Sequence, residues 1–181
     1  MTKNFKSKDP GIPYFVTFTV VEWLNVFTKP LYLRILWDSL QYCRKEKGLK
    51  LYGFVFMTNH LHLIISADRE DIKLWQIIRD YKKFTAQKII QVMQKEENRR
   101  WILDVMKGVG MKNNANTQYQ FWIQDDGAEE IHSDKFFLQK LHYIHQNPVR
   151  AEIVTDASGY AWSSAKLYEK NDFRFIDRME V

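Results

Sequence analysis

Hydrophobic and polar residues alternate near the start of the chain, and apolar residues then recur at helical spacing. From Tyr14 to Val21 the apolar side chains fall on one side and the threonines on the other, a period of two that predicts a strand. The stretch from Leu31 to Lys47 follows Pro30, repeats apolar residues every three or four positions and stops at Gly48. Proline in the first turn and glycine after the last turn are typical helix boundaries, so this stretch predicts a helix.

A hairpin and a long helical region follow. Leu49 to Met57 is a nearly continuous apolar run with several aromatics, which indicates a buried strand. Thr58-Asn59 predicts a short turn, and His60 to Ser66 returns as the second strand of the hairpin. Asp71 to about Arg100 has a stripe of apolar residues at helical spacing and predicts one helix, or two in series.

The last third of the chain predicts a loop, a strand and a helix. Lys107 to Gln118 is rich in Gly and Asn, which favours a mobile loop. Tyr119 to Ile123 predicts a short strand. Ser133 is a suitable N-cap for a helix from Asp134 to about Gln146, and we expect Pro148 to end that helix.

These elements occur in the order of a ferredoxin-like βαββαβ fold with an additional C-terminal helix, so we predict an α+β protein. We expect one domain over residues 1–181, with a core from about 14 to 168 and short polar tails at both ends. In this topology the first and third strands lie side by side in the middle of an antiparallel sheet. The strand that begins at His60 is the third, so its side chains should be rigidly held.

Composition narrows the class of protein. Lys and Arg outnumber Asp and Glu by 27 to 22, which suits a partner that carries phosphates, and aromatic residues make up 15% of the chain. One cysteine excludes an internal disulfide framework. No apolar run reaches the length of a membrane span, and the first ten residues lack the apolar stretch of a signal peptide. We therefore expect a cytoplasmic protein without membrane contacts.

His60-Leu61-His62 places two imidazoles on one face of the predicted strand, because side chains alternate along a strand. Leu61, Leu63 and Ile65 fall on the other face and can pack under the helices. We therefore expect the two histidines on an open face of the sheet. Two neutral imidazoles can hold one divalent ion if a third ligand comes from elsewhere, although two solvated histidines on a strand give the same pattern.

The helix that begins at Asp134 carries a second set of candidates. Its apolar stripe predicts the buried face, and next to that stripe Phe136, Lys140, Tyr143 and Asn147 share a flank at spacings of four, three and four residues. Tyr143 and Asn147 thus point the same way, so Asn147 can offer an amide oxygen to a metal while Tyr143 directs its phenol at a bound substrate. A half-buried tyrosine on an amphipathic helix is the alternative.

Two segments in this order resemble the single-tyrosine HUH transposases, and in particular the IS200-like and REP-associated tyrosine transposases. The segments are Met57–Leu63 and Tyr143–Ala151, with weaker similarity at Phe121-Trp122 and Tyr160–Ser164. The resemblance extends from about Tyr14 to about Tyr168, which is nearly the full chain.

The resemblance implies a role for each matching residue. By it, His60, His62 and Asn147 are metal ligands and Tyr143 is the nucleophile. Thr58 stands where many relatives have proline, and Glu152 where they often have glycine after the Asn-Pro pair. The first departure should alter only the hairpin turn, and the second should shift the chain beyond Pro148. Neither removes a reacting group.

The resemblance also implies an activity. Single-stranded DNA next to a hairpin would be nicked through a 5′-phosphotyrosine intermediate with Mg²⁺ or Mn²⁺ and then joined to a new strand. Both monomers and dimers that exchange the tyrosine helix are known in such a family, so the oligomeric state stays open. Two alternatives also remain: a hairpin-binding module without chemistry, and a metal-dependent hydrolase in which water attacks.

Basic residues on the predicted helices are candidates for contacts with the DNA backbone. We expect such contacts from Arg79, Lys82, Lys83, Lys140 and Arg150.

Overall fold

Four strands and five α-helices make up the computed structural model over the residues it describes, which are 11–69, 71–112, 118–124 and 127–179. The strands are β1 (Tyr14–Thr19), β2 (Leu49–Phe56), β3 (His60–Ala67) and β4 (Ala128–Glu130). The helices are α1 (Pro30–Lys47), α2 (Leu74–Met93), α3 (Arg100–Lys112), α4 (Asp134–Arg150) and α5 (Ala165–Glu169). The polar tails were predicted on either side of a core from about 14 to 168, and of these tails residues 1–10 and 180–181 lie outside the described residues. None of the described helices is long and apolar enough to cross a membrane.

The strands form one antiparallel sheet in the order β2-β3-β1-β4. This is the ferredoxin-like order, with β1 and β3 in the centre, and it confirms the predicted fold class. Thr17 of β1 lies opposite His62 of β3, and Thr19 lies opposite His60. Since both neighbours of β3 are paired along its length, its two histidines stand on the most constrained strand of the sheet.

One face of the sheet packs against α1, α2 and α3. Leu61, Leu63 and Ile65 of β3 belong to the main core, together with buried residues of all three helices. The predicted boundaries of α1 are confirmed, because the helix begins at Pro30 and ends before Gly48, whose φ of 70° is the left-handed conformation of a C-terminal cap.

The opposite face carries the histidines and is covered by α4. Phe137, Leu141 and Ile144 of α4 pack on Val55 and Ile64 of the sheet in a second core cluster. The histidines do lie on the face away from α1 and α2, but the expectation that this face is open is wrong. The physical reason is that the apolar stripe of α4 must be buried, and this was the sheet face left to cover.

Gly53 of β2 allows α4 to approach the sheet closely. A Cβ atom at this position would lie 2.8 Å from Cδ1 of Leu141, closer than carbon atoms pack. The absence of a side chain at this point of β2 therefore leaves room for the Leu141 side chain of α4.

The chain after α4 returns to the edge strand β2. Ser163 pairs with Val55 in an isolated bridge, and the amide of Ser164 donates to the Phe54 carbonyl at 2.9 Å. Within α4, Nε2 of His145 lies 2.9 Å from Oγ of Ser164. Helix α4 is thus tied at its C-terminal side to the same sheet that it covers.

Two elements predicted in the second half of the chain differ from the structure. The loop predicted at Lys107 to Gln118 is helical as far as Lys112, because the buried stripe of α3 continues through this glycine-containing stretch, while residues 113–117 lie outside the described residues. The strand predicted at Tyr119 to Ile123 is a single bridge between Trp122 and Val20, and β4 is the strand that pairs with β1. The amides of Val21 and Ile123 donate across this bridge, to the Phe121 carbonyl at 2.9 Å and to the Thr19 carbonyl at 2.8 Å, so the pairing is confined to the residues next to Trp122.

Pro148 lies inside α4 and does not end it. The helix continues to Arg150. Proline removes one donor from the helix, but the last turn closes with the amide of Ala151 donating to the Asn147 carbonyl at 3.0 Å. Asn147 therefore keeps its helical position one turn after Tyr143.

Candidate active site

The two histidines of β3 form the floor of the site. Their ring centroids are 4.8 Å apart, with the ring planes at 72°. His62 is buried and His60 is half-buried. The Thr58-Asn59 turn starts the strand directly at His60, so the pair lies at the end of the sheet next to the hairpin turn.

Each imidazole is held through its Nδ1 atom. Nδ1 of His62 lies 2.7 Å from Oγ1 of Thr17, its neighbour across the sheet, and Nδ1 of His60 lies 2.7 Å from Oδ1 of Asn59. The amide group of Asn59 in turn donates to the Trp23 carbonyl at 3.2 Å. A carbonyl oxygen only accepts, so Nδ1 of His60 carries the proton and Nε2 keeps a lone pair. Metal-binding histidines have this kind of support, in which one nitrogen is oriented by a neighbour and the other binds.

Burial keeps both imidazoles neutral. Burial, with smaller contributions from the nearby groups His60, Arg150 and Lys140, lowers the pKa of His62 to about 3. The pKa of His60 is also lowered by burial, while a hydrogen-bonding contact with the Asn147 side chain acts in the opposite direction. Neutral imidazole is the form that ligates metals, so no proton has to be removed before binding near neutral pH.

Tyr143 lies against this histidine pair. Its ring centroid is 5.3 Å from that of His62 and 5.8 Å from that of Phe15, whose ring is itself stacked on His62. The side chain is 39% exposed, so the phenol is accessible at the edge of the site while its ring is supported from below. The predicted core stripe of α4 is buried, and this rotates Tyr143 towards the histidines.

Arg150 and Asn147 both contact Tyr143. The Arg150 guanidinium carbon lies 4.4 Å from the centre of the phenol ring, and Nη2 donates to the Tyr143 carbonyl at 2.9 Å. Nδ2 of Asn147 donates to the same carbonyl at 3.4 Å. The amide nitrogen of Asn147 thus faces its own helix, and its oxygen is the atom left for His60 or a ligand.

The residue set fits a divalent metal with two imidazoles and one amide oxygen. Within residues 11–69, 71–112, 118–124 and 127–179, no group of three or more His, Cys, Asp or Glu side chains forms a metal site. Among the described residues, the side chain of Asn147 is in contact with His60 and is the candidate third ligand beside the two histidines. Oxygen and imidazole ligands suit Mg²⁺ or Mn²⁺.

The basic residues predicted to contact DNA separate into two groups. Arg79, Lys82 and Lys83 are on α2, across the sheet from the histidines. Lys140 and Arg150 are on α4 beside the site. Lys140 forms an ion pair with Glu129 at 2.8 Å, and its ammonium group lies 4.5 Å from the centre of the Phe15 ring. The structure therefore brings only the α4 cations to the candidate site.

Four supporting residues were not singled out in the sequence. Phe15 and Thr17 project from β1 on the histidine face, Asn59 is in the turn, and the indole of Trp23 meets His60 in an edge-to-face contact with ring centroids 5.7 Å apart. Strand alternation would place Phe15 and Thr17 on one face, but it does not show that this face meets His62. The remaining α4 histidines are not part of the site, since His142 is exposed and His145 contacts Ser164.

Comparison with known proteins identifies the family. A family model described as "Transposase IS200 like" matches residues 12–104, just over half of the chain. The chain belongs to the IS200-like transposase family. The matched region of this transposase family includes the His60–His62 strand and ends before the helix that carries Tyr143.

One solved structure shows that the fold is that of a tyrosine transposase structure, and a second has a lower similarity. The structure of a REP-associated tyrosine transposase bound to a REP hairpin is similar with a TM-score of 0.67 and 15% identity, covering 100% of this chain and 93% of that one. A protein from Deinococcus radiodurans R1, named as a candidate transposase, has a TM-score of 0.48 and 14% identity, covering 80% of this chain and 97% of that one. No curated protein sequence matches the chain.

Proposed function

We propose that this transposase-family protein nicks single-stranded DNA and transfers the broken strand, with Tyr143 as the nucleophile. The observation that carries the proposal is the position of the Tyr143 phenol, half-exposed and 5.3 Å from the His62 ring in a site that also contains His60 and Asn147. These side chains can together carry out phosphoryl transfer, with a tyrosine to attack and two histidines and an amide to bind a metal. Membership of the IS200-like transposase family supports transposition as the process in which the reaction takes place.

The reaction exchanges one phosphodiester bond for another. The phenol oxygen of Tyr143 loses its proton and forms a bond to the scissile phosphorus, the bond from phosphorus to the 3′-oxygen breaks, and that oxygen takes up one proton to become a hydroxyl. The 5′ end of the DNA is left on Tyr143. A 3′-hydroxyl of another strand then attacks the phosphotyrosine and releases the enzyme, so the strand is rejoined without an external energy source.

His60, His62 and Asn147 would hold Mg²⁺ or Mn²⁺. When bound, the ion would polarise the scissile phosphate and offset the charge that develops on the leaving oxygen. The chain's own contribution is orientation: Thr17 and Asn59 set the rings of the two histidines, and Phe15 supports His62 and Tyr143 together.

Single-stranded DNA that flanks a hairpin is the proposed substrate. The formal charge of +5 favours a polyanionic partner, and the similar REP-associated transposase was solved with a REP hairpin. Tyr143 is at the surface end of the site and can be reached by an extended strand, whereas a paired base stack would have to be opened first.

Covalent trapping tests this function. The full chain is mixed with a 5′-labelled and a 3′-labelled strand, each carrying a hairpin and a single-stranded flank, in the presence of Mn²⁺, and the products are separated on a denaturing gel. We expect a protein adduct with the 3′-labelled strand only, because the 5′ end of that fragment stays on Tyr143. Cleavage without an adduct would indicate a water nucleophile, and hairpin binding without cleavage would indicate a module that lacks chemistry.

Arg150 allows a sharper prediction about how Tyr143 is held. Arg150→Ala and Arg150→Lys should both slow adduct formation roughly 10-fold or more. The planar guanidinium lies over the phenol ring and also donates to the backbone carbonyl of Tyr143, and an ammonium group cannot reproduce both contacts. The measurement is the single-turnover rate at saturating DNA, with hairpin affinity determined in parallel.

The lysine variant separates two roles for Arg150. If Arg150 serves only as a positive charge against the DNA backbone, Arg150→Lys should keep nearly full activity and Arg150→Ala should mainly weaken affinity in a salt-dependent way. Lys166→Ala, which removes a cation from the short helix α5, is the control for the general loss of positive charge.

A further inference from the structure

Trp23 is a large aromatic side chain that the structure leaves exposed at the mouth of the site. It is 59% exposed, yet its indole contacts His60 in an edge-to-face arrangement, with ring centroids 5.7 Å apart and ring planes at 66°. A tryptophan with one side against a candidate metal ligand and its remaining surface in solvent has room to take a flat partner.

The backbone holds Trp23 there against its own preference. Glu22 and Trp23 have φ values of 52° and 53°, the left-handed region that bulky residues avoid. Strain of this kind persists only where the surroundings impose it, and it concentrates at functional sites. Two consecutive strained residues at the edge of the histidine pair therefore indicate that the position of the indole matters.

The strained conformation of Glu22 and Trp23 is held by hydrogen bonds between the two ends of the loop after β1 and the hairpin turn at Thr58-Asn59. The amide of Val20 donates to the Asn59 carbonyl at 2.9 Å, and the amide of Phe27 donates to the Thr58 carbonyl at 2.8 Å. Between these points, the amide group of Asn59 donates to the Trp23 carbonyl at 3.2 Å. The same asparagine accepts from His60, so Trp23 and His60 are positioned by one side chain.

Trp23 and Tyr143 lie against different members of the histidine pair. Tyr143 contacts His62 from α4, and Trp23 contacts His60 from the loop after β1. In a phosphoryl transfer the attacking and leaving oxygens lie roughly in line on opposite sides of phosphorus. A phosphate bound over the histidines and attacked from the Tyr143 side therefore directs its leaving 3′-oxygen towards Trp23.

We propose that Trp23 is the stacking platform for the base of the nucleotide whose 3′-oxygen leaves. This assignment rests on the proposed function and adds a DNA-binding residue to it. The fragment with the new 3′-hydroxyl has no covalent bond to the enzyme, so the stacked base keeps that hydroxyl near the phosphotyrosine. Stacking uses the face of a base and tolerates any of the four, so Trp23 contributes retention of the strand end and not sequence choice.

The test compares strands with and without this one base. Wild type, Trp23→Ala and Trp23→Phe are each given a hairpin substrate with either a normal nucleotide or an abasic residue directly 5′ of the nick, and single-turnover adduct formation is measured. On the normal strand we expect Trp23→Ala to be about 5-fold to 150-fold slower than wild type, the range for loss of one base–aromatic stack, and Trp23→Phe to retain most of the rate. On the abasic strand, wild type and Trp23→Ala should be equally slow.

Trp101 provides the matched control, since it is 58% exposed on α3 and packs against neither histidine. Trp101→Ala should react like wild type on both strands. The assignment is overturned if Trp23→Ala slows the normal and abasic strands by the same factor, or if Trp101→Ala behaves as Trp23→Ala does. Failure of wild type to form any adduct contradicts the proposed function itself, whereas an adduct with a base-independent effect of Trp23→Ala contradicts only this assignment.

Discussion

Replacing Tyr143 with phenylalanine is expected to abolish strand cleavage and the covalent adduct, with a loss of at least about 1000-fold. The change removes one oxygen, the atom that bonds to phosphorus, and keeps the ring. Contacts of that ring with His62, Phe15 and Arg150 do not depend on the hydroxyl. Within the described part of the chain the phenol oxygen has no hydrogen-bond partner, so stability should change little.

Thermal unfolding, hairpin affinity and a denaturing adduct gel together check this expectation. Tyr42→Phe is the matched control, because Tyr42 is 58% exposed on α1, across the sheet from the site, and its substitution should leave all three readouts unchanged. If Tyr143→Phe still cleaves at the wild-type rate, another group attacks the phosphate and the central assignment of the nucleophile is wrong.

Replacing His62 with alanine is expected to have the second largest effect, on metal binding. His62 is buried against Thr17 and Phe15, so no neighbouring side chain can move in to replace its Nε2 atom. Affinity for Mn²⁺, measured by titration with detection of the free ion, should fall at least about 100-fold. Cleavage should fall with it, while Tyr143 remains in place.

Thr17→Val tests whether the hydroxyl beside His62 contributes to the metal affinity. Valine has nearly the volume of threonine but no hydroxyl, so it leaves the ring of His62 in place and removes the partner of its Nδ1 atom. Loss of such a partner typically weakens metal affinity about 10-fold to 100-fold. His142→Ala is the control, because His142 is an exposed histidine on α4 outside the site. Unchanged Mn²⁺ affinity in His62→Ala would contradict the proposed ligand set.

The elements of the fold could be predicted where a strong period and its boundaries agree. Pro30 and Gly48 bracket α1, and the alternation after Tyr14 is that of β1. The prediction was wrong where tertiary packing overrode local signals. The buried stripe of α3 extends a helix through glycines, and Pro148 is tolerated because it falls in the last turn of α4.

The four residues proposed to form the site could be named from the sequence, whereas the residues that contact and orient them could not. The spacing of His60 with His62 and of Tyr143 with Asn147 is local, so it is visible in the sequence. The contacts of Thr17 with His62 and of Trp23 with His60 join elements far apart in the chain. Such contacts depend on strand register and loop conformation, which no short pattern specifies.

The contacts of Lys140 and Arg150, the two cations of α4 beside the site, could not be predicted from the sequence either. Spacing placed Lys140 on the flank of Tyr143, and positive charge made Arg150 a candidate for DNA contact, but neither shows which side chains these cations contact. In the structure Lys140 lies over Phe15 and pairs with Glu129, and Arg150 lies over Tyr143. Any phosphate contact by either residue would have to share a side chain that already holds an aromatic ring.

The return of the chain to β2 after α4 also determines when during synthesis the site can exist. The strand with His60 and His62 is translated first, and helix α4 with Tyr143 follows. Trp162 and Ser164, whose backbone groups bond to β2, are translated later still. Without those bonds and the contact between His145 and Ser164, α4 lacks its C-terminal attachment to the sheet. A ribosome-bound chain that ends before Ser164 therefore holds the residues of the proposed site without this attachment of α4 to the sheet.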